Sequence, residues 1–362
     1  MIIYPAEWTK HKEAVFTALA LADGGGRRLW TIPWSLHNHP QTDARVALCL
    51  SRAKRQPQGL ARRLKSLLIR LQYNGARRLF LRNPGAVAVA WNGLGGSRQA
   101  FLLAARDAGA GTLACELSPF PGRITVDPRG VNAESSVMGQ DFSTTPASDD
   151  WRAMGATLTA RPSRRADVGQ TTTQLPDTPF LFCPLQVPGD SQVTLFPGWT
   201  GGMAGFLQAL TEAATKLPPG WHLRLKEHPS ARTALPLAPL LAPLLATGRA
   251  ILDNETDSFA QLQASKGVVT LNSSMGLQAF FHDKPVITLG RAFFARQGLV
   301  EVAGDQVQLN HLFATPHTLT FDPTQRARFM TWLDRFYYPR PSDPSALTEK
   351  LRQARKLATP AP

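Results

Sequence analysis

Cysteine, long apolar runs and, over one stretch, acidic residues are what this sequence lacks. Its three cysteines, Cys49, Cys115 and Cys183, lie far apart, with no CxxC pair and no histidines at zinc spacing. Neither a disulfide framework nor a zinc module is encoded, and the thiols read as reduced and mostly buried. No apolar stretch reaches the roughly 18 to 20 residues that cross a bilayer. The first 30 residues carry Glu7, Glu13 and Asp23 in place of a signal-peptide pattern, so a cytoplasmic protein is expected. Between Ala44 and Arg106 there is no Asp or Glu at all, against 13 Lys and Arg.

That stretch concentrates the formal charge of +14 and attracts anions: nucleic acid, an anionic bilayer or a phosphorylated substrate. Leu60, Leu64, Leu67, Leu68 and Leu71 fall at helical spacing, flanked by Arg62, Arg63, Lys65 and Arg70. Such a helix either lies on a membrane surface or packs its leucines on the core, and both readings stay open. Nucleic acid is disfavoured, because no aromatic-interleaved basic stretch or RNP-like motif accompanies the charge.

With 362 residues, two domains of about 150 to 190 residues are expected. In the first half β-rich runs ("RLWTIPW", "AVAVAW", "GTLACEL") alternate with helical ones ("SRQAFLLAARDAG"), the rhythm of a parallel α/β sheet. Residues 140 to 178, rich in Ser, Thr, Pro and Asp, read as a linker with a short helix around Trp151. The second half repeats the rhythm through "PFLFCPLQV", "HLRLKEHP", "RAILD", "KGVVTLNS" and "KPVITLG". The expected architecture is α/β and GT-B-like, two Rossmann-like domains facing across a cleft. The expected boundaries are 1–175, 176–340 and a C-terminal tail at 341–362.

In an open parallel sheet, ligands bind beyond the carboxyl ends of the strands. Asn272, Ser273 and Ser274 stand where one predicted strand hands over to a helix, and unpaired N–H groups there suit a phosphate. Simple N-capping by the same residues is the competing explanation. Lys226 and His228 follow another predicted strand, and Asp190 follows a third, where an Asp beside Pro-Gly is ordinarily a turn former. Three polar clusters at three strand ends would be gathered by a doubly wound fold.

The stretches "PLQVPGDSQ", "LKEHP", "LNSSMGLQAFFHDKPVITLGRAFFARQGL" and "WNGLGGSRQAFLLAARDAGAGTLACELSPFPGRITVDPRGVN" resemble the bacterial capsule polysaccharide biosynthesis and export family. Its members include retaining β-Kdo transferases, and the likeness runs from about residue 89 to 300. The resemblance implies transfer of Kdo from CMP-β-Kdo by double displacement, with Asp190 as nucleophile and Glu116 as the second essential carboxylate. It adds His228 to the catalytic residues, on the nucleotide-phosphate side with Lys226, and puts Lys226, Gln186, Asn272, Ser273 and Ser274 on the donor. Asn92, Arg98 and Arg123 fall on the acceptor side, although "ELSPFPGRI" departs from the family's usual Asp-Gly-Phe and Arg-Ser continuation. Asp127 in "DPRGVN" reads as a structural turn residue.

There is no Asp-x-Asp motif, so no metal or other cofactor is expected. The implied partners are a nucleotide sugar, a lipid-linked acceptor, an anionic membrane surface met through basic segment 45–82, and a second capsule transferase. The implied location is the inner face of the inner membrane. Two alternatives remain: a GT-B transferase for another nucleotide sugar, and a non-catalytic capsule export or assembly adaptor.

Overall fold

A computed structural model describes residues 1–54, 56–160, 162–171, 175, 177–231 and 236–358. Arg55 of the basic segment, positions 161, 172–174 and 176 of the expected linker, and 359–362 of the expected tail lie outside the described residues. The chain divides into two units, Met1–Gln140 with Leu333–Pro362, and Asp141–Trp332.

The first unit is built from β1 (Ile2–Pro5), α1 (Lys10–Ala22), β2 (Gly26–Leu29), α2 (Thr42–Ser51), α3 (Gly59–Leu81), β3 (Val87–Trp91), α4 (Gly96–Asp107), β4 (Gly111–Leu117) and β5 (Ile124–Asp127). Its sheet runs β2-β1-β3-β4-β5, parallel except for the antiparallel β4–β5 pair. The central strands read as near-continuous apolar runs, Ile-Ile-Tyr and Val-Ala-Val-Ala-Trp, because helices cover both of their faces. The chain reverses its direction of travel across the sheet between β1 and β3, which makes their exits the ligand-binding edge of this unit.

The second unit comprises β6 (Phe180–Pro184), α5 (Ser191–Leu195), α6 (Met203–Ala214), β7 (His222–Lys226), α7 (Ala238–Ala246), β8 (Ala250–Leu252), α8 (Ser258–Ala264), β9 (Gly267–Thr270), α9 (Ser274–Gln278), β10 (Val286–Thr288), β11 (Glu301–Val302), α10 (Gln306–Ala314) and α11 (Pro323–Trp332). Its strands run β11-β10-β9-β6-β7-β8, every pairing parallel. That is the doubly wound order, with its switch point between β6 and β9. Phe206, Leu207 and Leu210 of α6 pack on Leu181, Leu223 and Val269 of the sheet to form the core.

Three expectations are corrected. The division falls after Gln140 and not near 175, because the supposed linker packs on the second unit. Trp151, in a 3-10 turn at Asp150–Thr157, is buried edge-on against Phe281, and Phe142 packs on Phe329 and Trp332. A few irregularly spaced aromatics do this anchoring, so no periodic signal marks it. Residues 341–362 are no mere tail: α12 (Pro344–Lys356) returns to the first sheet and buries Leu347, Leu351 and Ala354 in its core. Asp343 caps it by accepting from the Ala346 N–H. At Gly111 a Cβ would come within 2.8 Å of the Ala354 carbonyl, so β4 and α12 meet this closely only over glycine. Finally, β2 stops at Leu29, leaving Trp30 and Trp34 of the expected strand exposed.

Candidate functional site

In the second unit, the loops leaving β6, β9 and β10 are tied together. Gln186, just past β6, donates from Nε2 to Asn272 Oδ1 at 3.0 Å, and its Oε1 accepts from the Asn272 N–H at 3.2 Å. Asn272 Nδ2 donates in turn to the carbonyls of Gln192 and Phe196, at the two ends of α5, both at 2.9 Å. The Phe196 carbonyl also accepts from the Arg291 N–H, and the Gly290 N–H bonds the Leu271 carbonyl at 2.8 Å. Gln186 and Asn272 are buried. A buried amide pair satisfied in this way is a scaffold, since each group left without a partner would cost about 1–3 kcal/mol. Both residues, expected on the donor, instead have their polar atoms engaged in holding the switch-point loops.

Asp190 sits at the start of α5. Its backbone is extended (φ −70°, ψ 144°), its Oδ1 accepts from the Gln192 N–H at 2.8 Å, and the residue is exposed. It is thus an N-cap, as a lone Asp at a turn would be, yet its carboxylate faces solvent at the switch point. Ser273 caps α9 by accepting from the Met275 N–H, while its own N–H is held by Thr270 Oγ1 at 3.0 Å. Ser274 follows, exposed, in the first turn.

Lys226 is not available to a phosphate. The sequence places it at a strand end, but it is buried and its Nζ donates to the Gly169 and Asn254 carbonyls, at 2.9 and 2.7 Å. Burial lowers its pKa, while Asp253 and Asp257 pull the other way. Half of the cap over Lys226, the Gly169 carbonyl, comes from the misread linker, where Arg165 also pairs with Glu227. His228 stays partly buried, with Nδ1 accepting from the Ser230 N–H at 3.1 Å, so in the neutral ring the proton sits on Nε2. A cation that sequence reading passed over stands at the knit of loops: the exposed Arg291 guanidinium lies 5.7 Å from the Phe196 ring centroid. The signal was its place directly after a strand and Gly290.

The first unit joins two of the expected residues. Asn92, at the β3 exit, adopts the left-handed conformation (φ 65°) and donates from Nδ2 to Glu116 Oε2 at 2.8 Å. Its N–H bonds the Cys115 carbonyl and its Oδ1 accepts from the Leu94 N–H, so the amide is fixed at both ends. Glu116, partly buried on β4, is therefore a held carboxylate. Of the glycines after Asn92, Gly95 serves packing, since a Cβ there would lie 2.4 Å from the Arg52 carbonyl, whereas Gly96 takes a left-handed φ of 62° in open space. Arg98 and Arg123 are engaged elsewhere. Arg98 pairs with the buried Glu7 at 2.5 Å, and Lys12 reaches the same carboxylate at 3.5 Å. Arg123 bonds Asp334 and the Tyr338 carbonyl, which fixes the loop before β5 to the returning C-terminal segment. Glu7 was missed because it stands alone after a short strand. Asp127 is the turn residue it was expected to be, buried and accepting from the N–H groups of Arg129, Gly130 and Ser136 and the hydroxyls of Ser136 and Tyr337.

Among the described residues no group of three His, Cys, Asp or Glu is placed to hold a metal ion, and no helix is long and apolar enough to cross a membrane.

Two Rossmann-like units with polar switch points are the architecture of GT-B glycosyltransferases. Solved structures agree: the β-Kdo 2,7 transferase KpsC of Thermosulfurimonas dismutans superposes with a TM-score of 0.52 at 13% identity, over 91% of this chain and 90% of that one. The chain has the GT-B fold. Residues 156–318, which lie within the second unit, match the family described as capsule polysaccharide biosynthesis protein. That match takes in Gln186, Asp190, Lys226, His228, Asn272, Ser273 and Ser274, and none of the residues singled out in the first unit. Among named relatives, protein FixF of Sinorhizobium fredii is 31% identical over 243 residues, 64% of this chain and 56% of that protein. The capsule polysaccharide modification protein LipB of Neisseria meningitidis is 28% identical over 127 residues, 34% of this chain and 30% of LipB. The chain thus spans little more than half of the first relative and under a third of the second.

Proposed function

We propose that the protein is a retaining β-Kdo transferase that moves Kdo from CMP-β-Kdo to a lipid-linked or saccharide acceptor in capsule polysaccharide synthesis. The observation that carries this reading is Asp190: a solvent-facing carboxylate at the doubly wound switch point, on loops locked by the Gln186–Asn272 pair. In the first displacement the Asp190 carboxylate attacks the anomeric carbon, and CMP leaves with the bonding electron pair. In the second, the acceptor hydroxyl attacks the glycosyl-enzyme, restoring the carboxylate and the starting configuration, and Glu116 takes the hydroxyl proton. Asn92 holds Glu116 for that task.

The donor brings two anions, the Kdo carboxylate and the CMP phosphate. Arg291, the Nε2–H of His228, the Ser274 hydroxyl and the backbone N–H groups at the start of α9 are the groups that meet them. Lys226 acts one step back, by fixing the segment around Gly169 to the end of β7. No divalent metal takes part, and turnover persists in EDTA under this reading.

Incubation of the full chain with CMP-β-Kdo generated in situ and a lipid-linked acceptor, followed by NMR of the product's anomeric centre, tests the reading. A β product supports it, and an α product ends it. Glu116→Gln is expected to accumulate a Kdo adduct on Asp190, visible by intact-protein mass spectrometry. Stabilisation by UDP or GDP, with none by CMP or CTP, would move the assignment to another nucleotide sugar.

A further inference from the structure

The first half of α3 carries its leucines away from the core. At about 100° per residue, Leu60, Leu64, Leu67, Leu68 and Leu71 share one arc of the helix, roughly 100° wide. Ile69, Tyr73, Ala76 and Phe80, which α3 buries, lie on the opposite side. Leu60 and Leu64 are accordingly 71% and 59% exposed, and Leu67 and Leu68 are exposed too. Of the two earlier readings of this segment, packing on the core is therefore ruled out for these four leucines. Only the second half of the helix serves the fold.

Positive charge borders the stripe. Arg63 falls about 40° beyond Leu67 at the stripe's edge and Arg62 on the far side of the helix. Both are exposed, and with Leu67, Asp43 and the Arg70 that pairs with Asp43 they line an open groove of about 730 Å³ beside Val46, Ala47 and Leu50. A second apolar strip runs alongside. The Ser35 N–H bonds the Leu71 carbonyl at 3.1 Å, and Pro33 crosses Gly75 so closely that a Cβ there would lie 2.0 Å from the Pro33 carbonyl. The flanking Trp34 and Leu36, pinned beside α3 in this way, are 64% and 86% exposed.

We infer that this face, Leu60 to Leu71 with Trp34 and Leu36, seats the protein on an anionic phospholipid bilayer. The leucines and the indole enter the boundary between headgroups and acyl chains, and Arg63 meets lipid phosphates. Charge chooses this occupant: although Asp43, Asp107, Glu134 and Glu7 pair with Arg70, Arg45, Arg52 and Arg98, the segment from Ala44 to Arg106 itself brings 13 basic residues and no acidic one. A leucine stripe edged by arginine, with tryptophan at its rim, suits a phosphate-covered apolar phase. This deepens the lipid-acceptor part of the proposed function, but it requires no turnover.

Flotation of the full chain with phosphatidylglycerol-rich and with phosphatidylcholine vesicles, without any nucleotide sugar, tests it. Capture by the anionic vesicles alone is expected. The pair Leu64→Asp with Leu68→Asp should cut capture about tenfold or more. Arg62→Glu with Arg63→Glu should do the same, each reversed charge weakening attraction by about fivefold or more. All four side chains are exposed, so an unchanged melting temperature shows that folding is intact. Absence of capture by anionic vesicles, or equal capture of the leucine variant, overturns the inference. So does a concentration-dependent dimer that the leucine variant dissolves while vesicles capture nothing. A chain that floats but never transfers Kdo keeps the docking face and rejects the transferase; one that transfers Kdo to a soluble saccharide without floating does the reverse.

Discussion

Each unit places a carboxylate at the exit of its first strand, and the two meet opposite fates. Glu7, after β1, is buried and answered by Arg98 and Lys12. Asp190, after β6, is exposed, and its carboxylate accepts from the Gln192 backbone N–H in capping α5. A carboxylate locked between two cations holds its surroundings in place and attacks nothing, whereas one that only caps a helix start is oriented by it and remains free to form a bond. The same position in two related folds is structural in one and, under the proposed function, chemical in the other.

Exchanging carboxylate for amide separates these roles, and Asp190→Asn is the sharpest case. Asn caps a helix about as well as Asp, so stability should shift by no more than a few tenths of a kcal/mol. It cannot act as the nucleophile, so turnover should fall about a thousandfold or more. Full activity of that variant would reduce Asp190 to a cap. Glu7→Gln should show the converse: a loss of about 2 kcal/mol in chemical denaturation, below the roughly 3–5 of a fully buried pair because Arg98 stays partly solvated.

Cations offer a finer comparison. Arg291→Ala should raise KM for the donor about tenfold with kcat less affected, as expected when a charged hydrogen bond to the donor is lost. Lys226→Met should leave KM near wild type and register instead as lower thermal stability. The opposite pattern would restore Lys226 to the donor site.

The smallest effect concerns a second buried lysine. Lys350 on α12 donates to the Phe336 carbonyl at 3.2 Å and lies 4.9 Å from the Tyr337 ring centroid. Burial pulls its pKa from 10.5 down to about 8, against the pull of Asp127 and Glu349. Between those values the unfolded chain holds a proton that the folded chain has released, so stability contributed by this group rises with pH across the window. Lys350→Met should flatten that rise by up to about 1.4 kcal/mol per pH unit, read from denaturation at pH 8 and pH 10.

Much of this was legible from residues alone. Most strands of both sheets, though not β1, β5 or β11, the strand exits bearing Asp190 and Asn272, and the structural part of Asp127 follow from period and turn chemistry. What stayed hidden was side-chain destination. In a strand buried on both faces, such as β7, alternation gives no clue that Lys226 turns inward, and its cap comes from Gly169, 57 positions upstream, and Asn254, 28 positions downstream. Likewise, helical spacing located the leucines of α3 but could not say which side of the helix meets the core, since that depends on Ile69 and Tyr73 farther along. The anchoring of 141–178 rests on isolated aromatics and ion pairs, which have no period.

Because Leu347, Leu351 and Ala354 complete the core over Val87, Val89 and Leu113, the first unit is interrupted in sequence by the whole of the second. During synthesis its opening strands must wait, incompletely covered, until α12 leaves the ribosome, whereas the inner unit has all its strands in hand much sooner. The order of birth along the polypeptide is thus the reverse of the order in which the two lobes can mature.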